Sequence, residues 1–403
     1  MKTRISLALA LTLTMMSLVG ALWTGAAEAI PAFARKEQAP CNVCHTTWPM
    51  LTAAGRQYKE NGYAFTRGGG GGTEKTSEPF GWDKIFPITA LINARPYDKK
   101  DSGDAKMRAI HEIELMVAGQ MYTNVSGWFE LEAEDEEDFA VGLKFAALGY
   151  HHSAAVNVQA AWAPLTWADP YDTYSTTRRM TGPNQAQVIN QTFGGADRPK
   201  TSGGRLRDSR QVISLSGRPL DRLFYSVGIT GVTSDAEGVS PATTFARLAF
   251  DVSPNTMVGL LAINGTCEAT VSTTAHTNCT VDRKYSRVGV DLQSDIGPAR
   301  LMAVHLQAED DNAGATATVK NKAWYVQGTY AFQQGGRPTW VPLVRLDYYE
   351  QSNGVSVFRE GVFGATYYFT QNIKGSVEYM KQLEVPTGQV EDKRFTLQLI
   401  ATF

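Results

Sequence analysis

The sequence predicts a mainly β protein: a sixteen-stranded antiparallel β-barrel that crosses a membrane, preceded by a small N-terminal α-helical unit. Three observations carry this. The chain opens with an export signal. Its last segment alternates apolar and polar residues up to a terminal Phe403. The same two-residue period recurs from about residue 84 onward.

In chain order, Lys2 and Arg4 precede an apolar stretch from Ile5 to Trp23, and small residues then lead to Ala27-Glu28-Ala29. This is a charged n-region, an apolar h-region and an A-x-A cleavage site, so residues 1–29 read as a signal peptide cleaved near Ala29. No later segment is apolar and long enough to cross a bilayer as a helix.

Residues 30–67 form the second element. Cys41-Asn-Val-Cys44-His45 is C-x-x-C-H, the attachment signature of c-type haem. Cys41 and Cys44 would make thioether bonds to the haem vinyls, and His45 would bind the iron. A structural zinc site would need a second ligand pair. The remaining cysteines, Cys267 and Cys279, lie far down the chain. A thioredoxin-like motif would sit in a βαβ pattern, which the flanking sequence lacks. Met50, Leu51, Ala54, Tyr58 and Tyr63 predict one amphipathic helix over about 50–63, stopped at Asn61-Gly62. So few residues cannot bury a core of their own. One haem c would supply an apolar centre, with Phe33, Trp48 and Tyr58 around it. The second iron ligand is open. Met50 follows His45 closely and would approach from the same side, and His111, Met116 and Met121 are the candidates from elsewhere.

Gly68–Gly72 and the polar residues after them make 68–83 a flexible linker. They lack the Gly-Lys-Ser/Thr ending of a phosphate-binding loop.

Residues 84–403 make the barrel. In the last segment Phe395, Leu397, Leu399, Ala401 and Phe403 share one face, opposite Thr396, Gln398, Ile400 and Thr402. Similar segments give sixteen strands, beginning 86–97, 108–122, 124–134, 139–148 and 154–164 and ending 394–403. Short turns such as 217–222 and 370–372 alternate with long polar stretches such as 165–207, 233–242, 265–282, 309–321 and 385–393. Short turns at one rim and long loops at the other mark an outer-membrane barrel. The competing architecture, a soluble β-sandwich, has no need of the terminal aromatic.

Glu130, Glu132 and Glu134 alternate with apolar residues and therefore point into the lumen, as do Glu112 and Glu114 on the strand before. They either attract cations such as Fe²⁺, to which hard carboxylates are suited, or form an ordinary polar lining. Cys267 and Cys279 predict a loop disulfide in an oxidising compartment. His151-His152 reads as a surface pair. The 165–207 loop folds into the pore or covers it. With 38 basic and 40 acidic residues and a net charge of −2, no basic patch points to nucleic acid.

Taken together, the signal peptide, the P-x-F-A-R segment at 31–35, C-x-x-C-H, Trp48-Pro49, the Gly55–Tyr63 run and the barrel resemble the fused monohaem cytochrome–porins of the bacterial outer membrane. The best-known members are Fe(II) oxidases of iron-oxidising bacteria. The resemblance spans the chain, being specific at the N-terminus and architectural in the barrel. It implies haem attachment at Cys41 and Cys44 and iron ligation by His45. It also implies electron flow from extracellular Fe(II) to a periplasmic cytochrome or other soluble carrier, in contact with outer-membrane lipid. The alternatives are a diffusion porin with a structural or gating haem unit, and a soluble periplasmic haem-binding β protein.

Overall fold

The computed structural model describes residues 31–47, 50–65, 88–101, 103–165, 171, 209–231, 243–267, 283–311, 318–351, 354 and 356–403. The expected signal peptide, the linker 68–83 and Cys279 lie outside these residues, and with Cys279 the expected disulfide.

Sixteen antiparallel strands close into a barrel. They are β1 (Ile88–Lys100), β2 (Lys106–Tyr122), β3 (Val125–Glu134), β4 (Gly142–His151), β5 (Asn157–Ala163), β6 (Arg210–Leu220), β7 (Leu223–Thr230), β8 (Thr243–Ser253), β9 (Thr256–Cys267), β10 (Arg283–Ile296), β11 (Ala299–Asp310), β12 (Val319–Tyr330, continued by Phe332–Gln334), β13 (Arg337–Gln351), β14 (Ser356–Tyr368), β15 (Ile373–Glu384) and β16 (Lys393–Thr402). The seam pairs β16 with β1, from Arg394 opposite Lys100 to Thr402 opposite Leu91. Phe403 completes it by exchanging backbone hydrogen bonds of 2.9 and 3.0 Å with Ala90. Closure leaves no strand edge unpaired, and it replaces the sandwich alternative.

The alternation sorts side chains as the sequence implies. On β16, Thr396, Gln398, Ile400 and Thr402 are buried inside, while Phe395 and Phe403 are exposed outside. Ile113, Leu115, Leu148, Ile213, Leu248, Leu260, Val288 and Phe363 continue the outer apolar surface. Aromatic pairs flank this belt near both rims: Trp340 on Tyr367 at 4.7 Å near one, Trp324 on Tyr348 at 5.4 Å and Tyr97 on Phe395 at 6.0 Å towards the other. An apolar band between aromatic girdles is the outside of a transmembrane barrel.

Connections are short at one rim, for example Asp221-Arg222 and Gly335-Gly336, and longer at the other. Gly335 and Gly336 have φ of +60° and +76°. This left-handed pair suits a tight hairpin turn and favours glycine. One strand, β4, is shifted along the chain from its expected span of 139–148. β4 starts three residues late, at Gly142, because Asp138 and Phe139 take positive φ. It then runs on to His151, whose backbone N–H binds the Asn124 carbonyl at 2.7 Å.

The N-terminal residues do not form the separate helical unit expected. They form two short helices, α1 (Pro31–Glu37) and α2 (Ala53–Glu60), a 3₁₀ turn at Cys41–Val43, and a small ribbon pairing His45–Thr47 with Met50–Leu51. The predicted helix over 50–63 is shortened at its start because Thr52 caps it, its hydroxyl accepting from Gly55 N at 3.1 Å. It stops where expected. Gly62 N bonds Lys59 O and Tyr63 N bonds Tyr58 O, a Schellman closure with Gly62 at φ +78°.

The whole segment sits in the short-turn mouth of the barrel. Ala32 N donates to Thr89 Oγ1 (3.3 Å), Arg35 to Ile88 O (3.0 Å), and both terminal nitrogens of Arg300 to Leu51 O (2.9 Å). Phe33, Tyr58 and Tyr63 pack with wall residues Met116, Trp128, Phe145 and Ala161. The apolar centre that so short a chain lacks is supplied by the barrel wall.

Candidate functional site

Cys41 and Cys44 lie one 3₁₀ turn apart, half-buried and not joined to one another. Cys41 Sγ is 3.0 Å from Gln371 Oε1 in the β14–β15 turn, and Asn42 Nδ2 donates to Gly336 O in the β12–β13 turn at 2.5 Å. The motif therefore stands at the short-turn rim. From inside, Thr52 fixes it: its N–H binds Cys44 O (2.9 Å) and its hydroxyl donates to Val43 O (2.7 Å). Gly55 allows this approach, since a Cβ there would fall 2.1 Å from Cys44 O.

Burial, with Glu37 adding to it, pushes the Cys44 thiol up to about 11. It is a neutral thiol at physiological pH, unlike the low-pKa thiolate of a dithiol redox centre. The two cysteines of the 3₁₀ turn and its cap, with His45 at the start of the following strand, are the groups that would hold a haem c: Cys41 and Cys44 for attachment, His45 for the iron.

The candidates for the second ligand are dispersed. Met116 is buried against the aromatic cluster of Tyr58 and Tyr63. His111 lies towards the opposite rim, 2.8 Å from Asp135. Met121 is 62% exposed on the outer surface. Met50 is on the strand paired with that of His45, not on a shared helix, and is buried in the lumen with Sδ 3.9 Å from Gln327 Nε2. His151 and His152 are not a surface pair. His152 is exposed, but His151 is buried, contacting Ser126 Oγ at 2.7 Å and Asn157 Oδ1 at 3.2 Å.

The five glutamates form one inner patch. Glu112 pairs with Glu134, Glu114 with Glu132 and Met116 with Glu130 across β2 and β3, and Asn93 of β1 lies opposite Glu112. Glu112, Glu114 and Glu130 have no exposed surface. Carboxylate oxygens of Glu112, Glu132 and Glu134 all lie within 4.8 Å of one another. Lys144 contacts Glu132 Oε2. Trp128 Nε1 donates to Glu130 Oε2 at 3.1 Å, while its ring packs on Tyr63 (5.5 Å) and Phe33 (6.3 Å). An aromatic contact therefore links the mouth segment to the acidic wall.

The opposite wall is basic and paired: Arg247 with Asp291, Arg287 with Asp310 and Arg345 with Asp347, each at 2.7 Å. The described part of the long β5–β6 connection reaches this wall. Leu165 and Tyr171 join the buried lumen cluster, and Tyr171 lies 5.9 Å from the Arg247 guanidinium. Burial raises the Tyr171 phenol well above its ordinary value. Beside α2 a cavity of about 140 Å³ remains, open to solvent and lined by Arg56, Lys59, Tyr63, His151, Arg247 and Gln293 among others.

No protein-family model and no curated protein matches the chain. Solved structures match its fold. In-vitro folded OmpT, an outer membrane protein of Vibrio cholerae in trimer form, superposes with a TM-score of 0.54 at 14% identity, over 78% of this chain and 98% of that one. OmpF of Salmonella typhi in complex with daunomycin gives 0.52 at 16% identity, over 78% and 97%. The outer membrane channel DcaP of Acinetobacter baumannii gives 0.50 at 12%, over 78% and 95%. At these identities the likeness establishes the fold: a sixteen-stranded barrel of the outer-membrane porin type.

Reasoning from sequence missed Trp128, Tyr171 and Arg218 as contacts of the interior. Trp128 was legible in part, because it shares its strand face with Glu130. The other two depend on long-range packing.

Proposed function

We propose that the chain is an outer-membrane barrel that carries electrons through a covalently attached haem c in its periplasmic mouth. Short turns face the periplasm in barrels of this type. The observation that carries the reading is the position of Cys41-Asn-Val-Cys44-His45 at that rim, between the β12–β13 and β14–β15 turns. A soluble periplasmic cytochrome could approach it there without entering the pore. Haem c bound at this motif would supply a one-electron couple. The chain's own residues hold the motif in place and fill the mouth around it, and Fe(II) arriving from outside is the proposed donor.

Two measurements test this. Protein made with c-type haem maturation should keep haem through a denaturing gel, and Cys41→Ala/Cys44→Ala should lose it. Rapid mixing of the oxidised protein with Fe²⁺ should give the reduced haem spectrum, and an unchanged spectrum sinks the Fe(II) reading. The second reading is a diffusion porin whose N-terminal segment is a plug or gate. The porin-type fold and the cavity beside α2 favour it. A large conductance in planar bilayers, independent of haem and its redox state, would decide for that reading.

A further inference from the structure

We propose that Ser126, His151 and Asn157 act as nucleophile, base and orienting group in the hydrolysis of short carboxylic esters, in the cavity beside α2. The proposal rests on the lumen wall and that cavity, so it is separate from haem attachment.

Strand register builds the set. Ser126 of β3 stands opposite Gly149 of β4, and His151, two residues on, shares the inner face of Gly149. Gly149 leaves the space between them open. A Cβ there would fall 2.9 Å from His151 Nε2 and 3.0 Å from Ser126 Oγ. On the other side His151 stands opposite Asn157, the first residue of β5, and Asn157 stands opposite Ser216 of β6. Ser126, His151 and Asn157 are all buried, and all three line the cavity.

The hydrogen bonds run in one direction. Asn157 Nδ2 donates to Ser216 O at 3.0 Å, and its Oδ1 faces His151 Nδ1 at 3.2 Å. An amide oxygen only accepts, so Nδ1 carries the ring proton and Nε2 is the acceptor. Ser126 Oγ lies 2.7 Å from Nε2 and therefore donates to it. This is the tautomer of a general base poised on a hydroxyl, with the third group holding the ring in register.

The cavity supplies access and charge. It is open to solvent and is lined by Arg56, Lys59 and Arg247. An ester carbonyl brought to Ser126 lies among cations that favour the charge developing on its oxygen. The volume of about 140 Å³ admits a short acyl group rather than a lipid chain. Ser126 Oγ adds to the carbonyl carbon as its proton passes to His151 Nε2. That proton leaves with the alcohol as the ester C–O bond breaks, and the acyl group stays on Ser126. Water then attacks the acyl carbon and gives a proton to Nε2. The acid departs as Ser126 Oγ takes that proton back, so one ester and one water yield one acid and one alcohol.

Methanesulfonyl fluoride, a small reagent that sulfonylates activated serine hydroxyls with loss of fluoride, is the probe. The full chain, folded in detergent micelles, should take one methanesulfonyl group, located on Ser126 by peptide mass spectrometry. Hydrolysis of 4-nitrophenyl acetate should be abolished by that label. Ser126→Ala should lose both, and His151→Ala should slow both about a hundredfold. Asn157→Leu should slow both about tenfold or more, and Asn157→Asp, which restores an acceptor for Nδ1, should recover most of the rate. Heat-modifiable gel mobility checks that each barrel is folded, and Asn157→Leu decides if His151→Ala does not fold. No adduct on Ser126 of the folded chain, or adduct formation by the folded variants at the parent rate, overturns the site and leaves the three residues as wall packing.

Discussion

Arg218 of β6 grips Glu60 at the end of α2 with two hydrogen bonds, Nε to Oε2 at 2.6 Å and Nη2 to Oε1 at 3.2 Å. Its third nitrogen, Nη1, donates to Asp251 Oδ2 at 2.6 Å. The guanidinium thus ties the mouth segment to the wall at two carboxylates. A two-pronged pair of this kind is more directional than a lysine pair.

Glu60→Ala should therefore loosen the segment. The side chains are 16% and 20% exposed, so the pair falls between surface and fully buried cases. We expect a cost of about 1–3 kcal/mol. The readouts are faster proteolysis within residues 31–65 and a higher single-channel conductance. Unchanged values for both would mean that the Arg218 contact does not hold the plug.

Trp128 contributes by packing. It is 4% exposed and touches Phe33 and Tyr63 from the mouth segment. Trp128→Ala removes a large buried ring and should lower stability by about 3–5 kcal/mol. Trp128→Phe keeps the packing but drops the hydrogen bond to Glu130 and should cost far less. Thermal melts followed by gel mobility would compare them; equal losses would show that the Glu130 bond, rather than packing, carries the effect.

Gly62 offers a test of how closely α2 meets the wall. Its φ of +78° disfavours any other residue, and an added Cβ would fall 2.5 Å from the His151 ring. Gly62→Ala should cost about 1–3 kcal/mol through strain and overpacking. His151→Ala in the same chain should recover the overpacking share and leave the strain. Denaturant midpoints of the two single variants and the double variant separate the terms.

The barrel was legible because its physics is local. A two-residue period sorts each strand into an inner and an outer face, so the inward direction of Glu112 and Glu130 follows from their neighbours alone. The terminal Phe395–Phe403 alternation needed no tertiary information. The mouth segment was less legible. Thr52 caps α2 and Asn61-Gly62 ends it, and only the latter stop was anticipated. Helix α1 carries no strong periodic signal over its seven residues. That Phe33, Tyr58 and Tyr63 would pack on Trp128 across the lumen depends on closure of the barrel, which no local pattern encodes. The same holds for Tyr171, whose partners Arg247 and Asp291 come from β8 and β10.

Cys44 gives the last prediction, and it bears on haem attachment directly. In a chain made without haem maturation, with Cys41, Cys267 and Cys279 replaced by Ala, Cys44 is the one remaining thiol. Its pKa, raised to about 11, leaves about a thousandth of it as thiolate at pH 8. An ordinary cysteine of pKa about 8.5 is roughly a quarter ionised there, so maleimide labelling of Cys44 should be slower by about two orders of magnitude. Because the pKa is raised, the rate should climb about tenfold per pH unit and level off only near pH 11. Denaturant, which removes the burial, should abolish the difference. If the sulfurs of Cys41 and Cys44 are thioethers in the mature protein, a haem-loaded chain lacking only Cys267 and Cys279 should take no label at any pH, even when unfolded. Labelling of that unfolded chain would show that the thiols remain free, and would remove covalent haem from the account.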